Sequence, residues 1–406
     1  MLESELMEVL RSQDFTELTD EEIKKVNKWV CSVDIEKLDD VVGVKSEDMR
    51  FFMINVFEAL LQLFEEDRET HRGYPKIKLV YRIYANFSTR SYMFRNLCLK
   101  HLELGHWFAI IRYTDILPET CGALCCYGKE FYKEYLIDEN FFTFFGNITD
   151  IYAESSDKEV SSSIKAFFWK MFEEVPTILN DCYDLFTNHQ FLRLLQIVKS
   201  IIEMNYEASS PVVIHEGNVS FMVSLLGEWC QDDFKDAVDL YIPLFLMESL
   251  ATIVLYEHGI KKDIFGSKEV LNNIKVILTN VLCNEGKSNK MPTLSGKFKD
   301  LWSEKEESEP GLLNDLKVCC LKLLTNIAVN SHKNKVNVGV CGLIEPILQC
   351  SLGKTTLDSP LGKEWSVVCI KTLTEECPEN QKILMEIKDK LNSSVLESLK
   401  EKTVLI

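Results

Sequence analysis

Two stretches of the chain decide the fold: LKLLTNIAVNSHKNK at residues 321–335 and VVCIKTLTEECPENQ at residues 367–381. They lie 46 residues apart, and each runs from an apolar segment into a polar turn. Aligned through KNK and ENQ, they match apolar residues with apolar residues, Leu321 with Val367, Leu324 with Ile370 and Ile327 with Leu373. Such spacing forms the apolar stripe of a helix, so the pair predicts a repeated helical unit.

The sequence between the two stretches completes this unit. Residues 336–352, VNVGVCGLIEPILQCSL, predict a short helix, a break at Gly342 and a second helix whose first turn holds Pro346. Three helices with a period between about 40 and 47 residues are typical of an armadillo repeat. We therefore predict an all-α fold, an armadillo- or HEAT-like α-solenoid of stacked helices.

The composition of the whole chain agrees with a helical fold. Of 406 residues, 46% are hydrophobic and 27% are charged, as in a folded protein. Only 17 glycines and 10 prolines are present, too few to punctuate the many short strands of an all-β protein. Residues 242–255 are apolar almost all round, which indicates a helix covered on more than one side.

The polar segments predict how the chain is divided. We expect N-terminal helical repeats of degenerate armadillo type at residues 1–204, central helical repeats at 205–283 and C-terminal armadillo repeats at 313–406. Residues 284–312, which contain KDLWSEKEESEPG, predict an acidic, polar and flexible loop. A shorter loop is expected at residues 154–163.

Charge and targeting signals narrow the compartment and the partners. The formal net charge of −18 disfavours binding to nucleic acid and to anionic membranes. The acidic start lacks the features of a secretory signal, and the apolar run at residues 241–256 is interrupted by Glu248 and too short to span a bilayer. Most of the fourteen cysteines lie in apolar runs, which favours reduced thiols. We expect a cytoplasmic protein without membrane insertion.

Catalytic fingerprints are absent from the sequence. LGKTT at residues 352–356 resembles the end of a phosphate-binding loop, but Leu348 occupies the place of the first glycine that the loop requires. One group of potential thiolate and imidazole ligands matches no structural zinc spacing: Cys121, Cys125 and Cys126 with His101 or His106. We expect no catalytic residue, no cofactor and no metal.

An armadillo groove offers exposed polar side chains to protein partners, and three residues are candidates for it: Lys322, Asn326 and Lys371. Asn326 reaches into the groove or bonds to neighbouring backbone, and the sequence leaves both roles open. Trp365 anchors the core or marks a groove. We expect it to be mostly buried, so that Trp365→Ala costs about 3–5 kcal/mol.

Residues 316–384 resemble the C-terminal domain of the ataxin-10 family, which consists of armadillo-repeat proteins. The resemblance rests on LLTNI at 323–327, CGLIEPILQC at 341–350 and DSPLGKEWSVVCIKTLTEECPENQ at 358–381. The family pattern within the last stretch falls on Asp358, Pro360, Lys363, Glu364, Trp365, Lys371, Leu373, Asn380 and Gln381. Three positions depart from the family: Lys335 stands where glutamine is usual, and Lys363 and Lys371 stand where arginine is common.

The resemblance implies a non-catalytic scaffold or adaptor in the cytoplasm. It implies roles in cell division through cytokinesis, in neurite outgrowth and in neuronal survival. The partners it implies are other proteins, among them signalling, regulatory and glycosyl-transfer enzymes, and self-association stays open.

Two other armadillo functions are alternatives. A nuclear import adaptor carries a tryptophan four residues before each groove asparagine, but here the residues before Asn326, Asn86 and Asn280 are Lys322, Arg82 and Val276. The expected ladder of tryptophans is therefore missing. An armadillo-type chaperone or exchange factor for G-protein subunits is similar in length and acidity, and the sequence leaves this alternative open.

Overall fold

A computed structural model describes residues 2–12, 15, 17–65, 74–111, 113, 116–136, 138, 140–207, 214–229, 237–256, 264–284, 310–352 and 360–389. Every regular element among these residues is a helix. The predicted all-α fold, a solenoid of stacked helices, is thereby confirmed. The chain divides into two compact units, residues 1–193 and residues 194–406, and the division falls within one helix, α13 (Asn188–Glu207). The domain limits expected from the sequence stay predictions.

The first unit consists of short and medium helices. They are α1 (Leu2–Arg11), α2 (Asp20–Ser32), α3 (Ile35–Val44), α4 (Ser46–Glu65), α5 (Tyr74–Arg90), α6 (Tyr92–His101), α7 (Leu104–Ile111), α8 (Leu117–Tyr127), α9 (Lys129–Tyr135), α10 (Phe141–Glu154), α11 (Lys158–Glu174) and α12 (Ile178–Leu185). Helix α5 packs against α2 and α8, and α8 packs against α11. Every third helix thus joins one row, which is the spacing of a three-helix repeat.

The core of the first unit is rich in aromatic side chains whose hydroxyl groups are bonded internally. The Tyr127 hydroxyl donates to Ser88 Oγ over 3.1 Å, and the hydroxyls of Tyr84 and Tyr127 lie 3.2 Å apart. Tyr81 and Thr120 pair their hydroxyls at 2.8 Å. All of these side chains are buried. Because a buried hydroxyl without a partner is costly, these bonds let polar rings lie inside the helix stack.

The second unit holds α14 (Glu216–Trp229), α15 (Ala237–Tyr256), α16 (Lys268–Asn284), α17 (Pro310–Ala328), α18 (His332–Val340), α19 (Ile344–Leu352), α20 (Pro360–Thr374) and α21, residues 378–389. Helix α15 packs against α14 and α17, and α17 packs against α20. As its composition predicts, α15 is buried on most sides, with Leu255 exposed near its end. Helices α15, α17 and α20 therefore form the central row of this unit.

The 46-residue repeat is confirmed by the turns that follow α17 and α20. Asn330 and Glu376 adopt positive φ angles of 58° and 54°, and among the described residues no other non-glycine does so. Asn334 Nδ2 donates to the Ile327 carbonyl at 3.1 Å, and Asn380 Nδ2 donates to the Leu373 carbonyl at 2.9 Å. Each pair of equivalent residues is separated by 46 positions, so the sequence repeat is also a repeat of backbone conformation and hydrogen bonding.

The unit between these turns has the predicted order of three helices. Ser331 Oγ accepts from the Asn334 backbone and caps α18. Gly342 has φ of 71°, a conformation that favours glycine, and it separates α18 from α19. Pro346 lies in the first turn of α19. Together, α18, α19 and α20 form one armadillo-type repeat.

The two loops expected from the sequence differ from the structure or lie largely outside it. The loop expected at residues 154–163 is wrong beyond Asp157, because α11 begins at Lys158 with the Asp157 carboxylate accepting from the backbone of Glu159 and Val160. The polar run is therefore a helix cap and first turn. Most of the loop expected at 284–312 lies outside the described residues, and α17 begins at Pro310.

None of the described helices combines the length and the hydropathy needed to cross a bilayer. Within the same part of the chain the cysteines are free thiols, and most of them are buried. Burial raises the pKa of Cys98 and of Cys369 to about 12 each. These thiols are packing groups rather than nucleophiles at neutral pH.

Candidate functional site

A second stripe of side chains runs along α17 and α20 beside the stripe that faces the core. On α20 the core stripe consists of Gly362, Ser366, Cys369 and Leu373. The second stripe comprises Leu361, Trp365 and Val368 on α20, and its equivalents 46 residues earlier on α17 are Asp315, Cys319 and Lys322. We call these six residues, with Lys199 of α13 and Glu248 of α15, the repeat face. Cys319 is buried, and the other seven are at least partly exposed. All of them belong to the second unit.

The α20 part of the repeat face is apolar and accessible. Leu361 and Val368 are each 45% exposed, and Trp365 is partly exposed between them. Residues at spacings of four and three lie on the same side of a helix, so the three side chains form a continuous strip. Single exposed apolar residues are normal on a surface, but three in a row with a tryptophan at the centre make an apolar patch.

Lys322 connects the α17 part of the face to this strip. Its ammonium nitrogen lies 5.5 Å from the centroid of the Trp365 ring. A cation at this distance is attracted to the ring, with about 0.5–1 kcal/mol expected where water has access. The contact holds the indole against the stack and leaves part of its ring open at the surface.

A half-buried ion pair lies on the α13 and α15 side of the face. Lys199 Nζ is 2.5 Å from Glu248 Oε2 and 5.3 Å from the centre of the Phe245 ring. Burial disfavours the charged form of Lys199, but the hydrogen bond and the charge of Glu248 outweigh it and raise the pKa of the amine. Lys199 therefore stays protonated through the physiological range.

Asp315 brings a second carboxylate to the same region. Its pKa is raised, first by burial and then by the nearby charge of Glu248, although Lys199 and Lys322 oppose the shift. The repeat face thus carries two acidic and two basic groups behind an apolar strip. It lacks the uniform positive charge that a nucleic-acid surface needs.

The three groove candidates from the sequence occupy different environments. Lys322 is partly exposed on the repeat face, and Lys371 is exposed in the last turn of α20, beside the strip rather than in it. Asn326 is buried, with 8% of its surface exposed, and its Nδ2 donates to the Ala251 carbonyl at 2.8 Å. Of its two anticipated roles, the structure supports the bond to neighbouring backbone, since this contact joins α17 to α15.

The residues expected to carry the family motif are mostly structural. Pro360 begins α20, Leu373 is buried, and the Gln381 amide donates to the Thr374 carbonyl at 2.8 Å. Asn380 is buried and also donates to the Lys335 carbonyl at 2.8 Å. Glu364 is exposed at the surface of α20.

Lys335, which departs from the family pattern, makes a contact of its own. Its ammonium donates to the Glu375 carbonyl at 2.7 Å, just beyond the end of α20. A cation suits the negative end of a helix, so the lysine ties one repeat to the next. The lysine at this position therefore makes a contact between repeats.

Sequence reasoning missed Leu361, Val368, Lys199 and Glu248. The signal for the first two was present, because their spacing repeats that of Asp315 and Lys322. No local sequence pattern predicts the Lys199–Glu248 ion pair, because the two residues are 49 positions apart in the chain and lie on different helices.

The cysteines near residue 121 form no ligand cluster in the described chain. Cys121 is buried, Cys126 is exposed, and burial raises the pKa of Cys125 to about 12. Cys121 and Cys125 share one face of α8, whereas Cys126, next to Cys125 in the chain, points to another side.

Comparison with known proteins gives one informative match. Residues 316–404 match the family model described as the spinocerebellar ataxia type 10 protein domain. No curated protein matches the chain. The crystal structure of an engineered protein from the Northeast Structural Genomics Consortium aligns with 94% of this chain and 81% of its own, at 12% identity and a TM-score of 0.36, a likeness too weak to support an argument.

The matched segment contains most of α17, then α18 to α21 and both repeated turns, where the sequence resembles the ataxin-10 family. The resemblance is thereby confirmed over this segment. The likeness to this family is thus shown for residues 316–404, about a fifth of the chain.

Proposed function

We propose that this protein is a non-catalytic scaffold or adaptor that binds other proteins through the repeat face. The observation that carries the proposal is the accessible apolar strip of Leu361, Trp365 and Val368, with the Lys322 ammonium over the indole. Apolar and aromatic groups surrounded by charged ones are the usual anatomy of a protein interface. Tryptophan is also enriched among residues that dominate binding energy.

The charges of the face favour a protein over a nucleic acid. Glu248 and Asp315 stand beside Lys199 and Lys322, so the basic groups are balanced by acidic ones. A phosphate backbone on this face would be repelled by the two carboxylates and by the overall charge of −18 of the chain. A protein surface of mixed charge can complement such a pattern.

The cellular setting is part of the same proposal. The resemblance to the ataxin-10 family over residues 316–404 is the basis on which we propose a cytoplasmic role in cytokinesis, neurite outgrowth and neuronal survival. Signalling, regulatory or glycosyl-transfer enzymes are then the partners to test first. No catalytic step is assigned to the chain.

The test introduces charge into the strip. Leu361→Asp and Val368→Asp change exposed side chains, so their effect on stability should be small. The matched controls are Val276→Asp and Val340→Asp, which are 42% and 63% exposed on α16 and α18. Each purified variant is used as bait in cytosol from the source cell, and retained proteins are quantified by mass spectrometry.

We expect proteins retained by the native chain to be lost from both strip variants and kept by both controls. Retention that is equal in all four variants would contradict the proposed surface. Conversion of an added nucleotide or ester by the native chain would contradict the non-catalytic role.

A further inference from the structure

Three side chains with metal-binding atoms meet where two consecutive repeats begin. They are His332 at the start of α18, and Cys377 and Glu379 at the start of α21. His332 Nε2 lies 3.6 Å from Glu379 Oε1, and Cys377 Sγ lies 3.5 Å from Glu379 Oε2. All three ligand atoms lie within 4.8 Å of one another, and no other such group occurs in the part of the chain that the structure describes.

These distances suit a tetrahedral zinc ion. Zinc bonds of about 2.3 Å to sulfur and about 2.0–2.2 Å to nitrogen or oxygen place neighbouring ligand atoms roughly 3.3–3.6 Å apart. The nitrogen–oxygen and sulfur–oxygen separations, 3.6 and 3.5 Å, are close to this range, each to a different oxygen of the Glu379 carboxylate. The nitrogen–sulfur separation is within 4.8 Å, and His332 is an exposed residue.

A cysteine replaces the serine that stands at the equivalent position of the preceding repeat. Cys377 occupies the place that Ser331 has 46 residues earlier, where the serine hydroxyl caps α18. A thiol is a weaker hydrogen-bond acceptor than a hydroxyl, so cysteine is a poor cap. Its sulfur still accepts from the Asn380 backbone, as Ser331 does from Asn334, and it also lies 3.5 Å from the Glu379 carboxylate, where a thiol adds a soft metal ligand.

The electrostatic balance also permits a cation. Two helix N-termini contribute about +0.5 elementary charge each, which opposes a metal ion. A thiolate and a carboxylate together contribute two negative charges, so the site remains net negative. The nearby Lys335 ammonium is bonded to the Glu375 carbonyl at the end of α20.

We propose that His332, Cys377 and Glu379 bind one Zn²⁺ ion, with water as the fourth ligand, and that the ion links α18 to α21. One nitrogen, one sulfur and one oxygen donor suit zinc better than magnesium or calcium, which prefer all-oxygen sites. The site departs from the expectation of no metal, because a histidine 45 residues before a Cys-x-Glu sequence matches no known spacing.

The first test is a titration of the full reduced chain with Co²⁺, followed by Zn²⁺. We expect one equivalent of Co²⁺ to produce a thiolate-to-cobalt absorption band, which Zn²⁺ then displaces. Cys377→Ser should abolish the band, whereas Cys31→Ser and Cys126→Ser, at exposed cysteines elsewhere, should leave it unchanged. Absence of the band in the native chain, or its survival in Cys377→Ser, would overturn the proposal.

The second test does not depend on the cysteine. His332→Ala and Glu379→Gln change exposed side chains, and each should weaken Zn²⁺ binding by at least about tenfold. Zn²⁺ should raise the melting temperature of the native chain and not that of Glu379→Gln, since a ligand stabilises only the state that binds it. Equal Zn²⁺ affinity in the native chain and both variants would overturn the site.

Discussion

At the scale of single residues, the amide of Asn380 fixes the geometry of a repeat. Its Nδ2 donates to the carbonyls of Lys335 and Leu373, at 2.8 and 2.9 Å. Its Oδ1 lies only 1.9 Å from the position that a Cβ atom on Gly339 would take. Gly339 is therefore required by the close approach of the asparagine, whatever its backbone angles.

This contact predicts opposite effects for two Gly→Ala changes. Gly339→Ala should destabilise the second unit by about 1–3 kcal/mol, because the added methyl group displaces the buried amide. Gly122→Ala, within α8, meets no atom within 4 Å and should stabilise the first unit by about 0.4–1 kcal/mol. Urea unfolding gives both values. A stabilising Gly339→Ala would show that the amide is not held where we place it.

Trp365 leads to a second prediction at this scale. The sequence favoured a core position and a loss of about 3–5 kcal/mol on truncation. Because the indole is partly exposed, we now expect Trp365→Ala to cost less, about 1–3 kcal/mol. Trp107 is fully buried and donates to the Tyr135 hydroxyl at 3.2 Å, so Trp107→Ala should show the full loss. Thermal melting that gives equal losses for the two would contradict the exposure of Trp365.

At the scale of helices, α17 and α20 show what periodicity can and cannot predict. The repeat predicted both helices and the polar turns after them, because their core residues recur at helical spacing. It also matched Leu321 with Val367, yet Leu321 is buried and Val367 is 61% exposed. Helix α17 packs between α15 and α20, whereas α20 is the last helix of that row among the described residues. A pattern of apolar residues does not reveal which side of a helix receives a neighbour.

Lys322 on α17 and Lys371 on α20, the two lysines predicted to line a groove, have different environments. Lys322→Glu should lower stability by about 1 kcal/mol, because it removes the contact with Trp365 and places a carboxylate near Asp315. Lys371→Glu changes an exposed side chain and should shift stability by less than about 0.5 kcal/mol.

Both lysine variants should slow association with an acidic partner and reduce its salt dependence, because each removes a steering charge. Surface plasmon resonance at two salt concentrations measures this effect once a partner is in hand. If binding is indifferent to both reversals, these lysines do not belong to the interface.

At the scale of the whole molecule, the fold was more predictable than the surface. Low glycine and proline content and pervasive helical spacing are summed over hundreds of residues, so they predict the all-α class robustly. The expected loop at 154–163 failed because Asp157 acts as a helix cap, a role set by one hydrogen-bonding residue. The repeat face joins residues from four helices, and their contacts arise only when the helices stack.

Buried thiols should make the whole protein sensitive to alkali. The pKa of Cys98 and of Cys369 is raised from the ordinary 9.0 to about 12, so the unfolded chain loses these protons first. The stability that they contribute is present below pH 9 and is lost as pH rises toward 12. Within that window, each thiol should lower the free energy of unfolding by about 1.4 kcal/mol per pH unit.

Urea unfolding between pH 8 and pH 11 measures this dependence. Stability should fall over the range, and Cys369→Ala should make the fall shallower for the second unit. A native chain whose stability is constant or rising over this window would contradict the burial of these thiols.

The central claim is that partners bind on the strip of Leu361, Trp365 and Val368. Its most direct test places a photo-crosslinking amino acid at Val368 or, as a matched control, at Val340, both of which are exposed. After irradiation in living cells, crosslinked partners are identified by mass spectrometry. We predict specific adducts from position 368 and none of them from position 340. Adducts of the same proteins from position 340, with none from position 368, would contradict the claim.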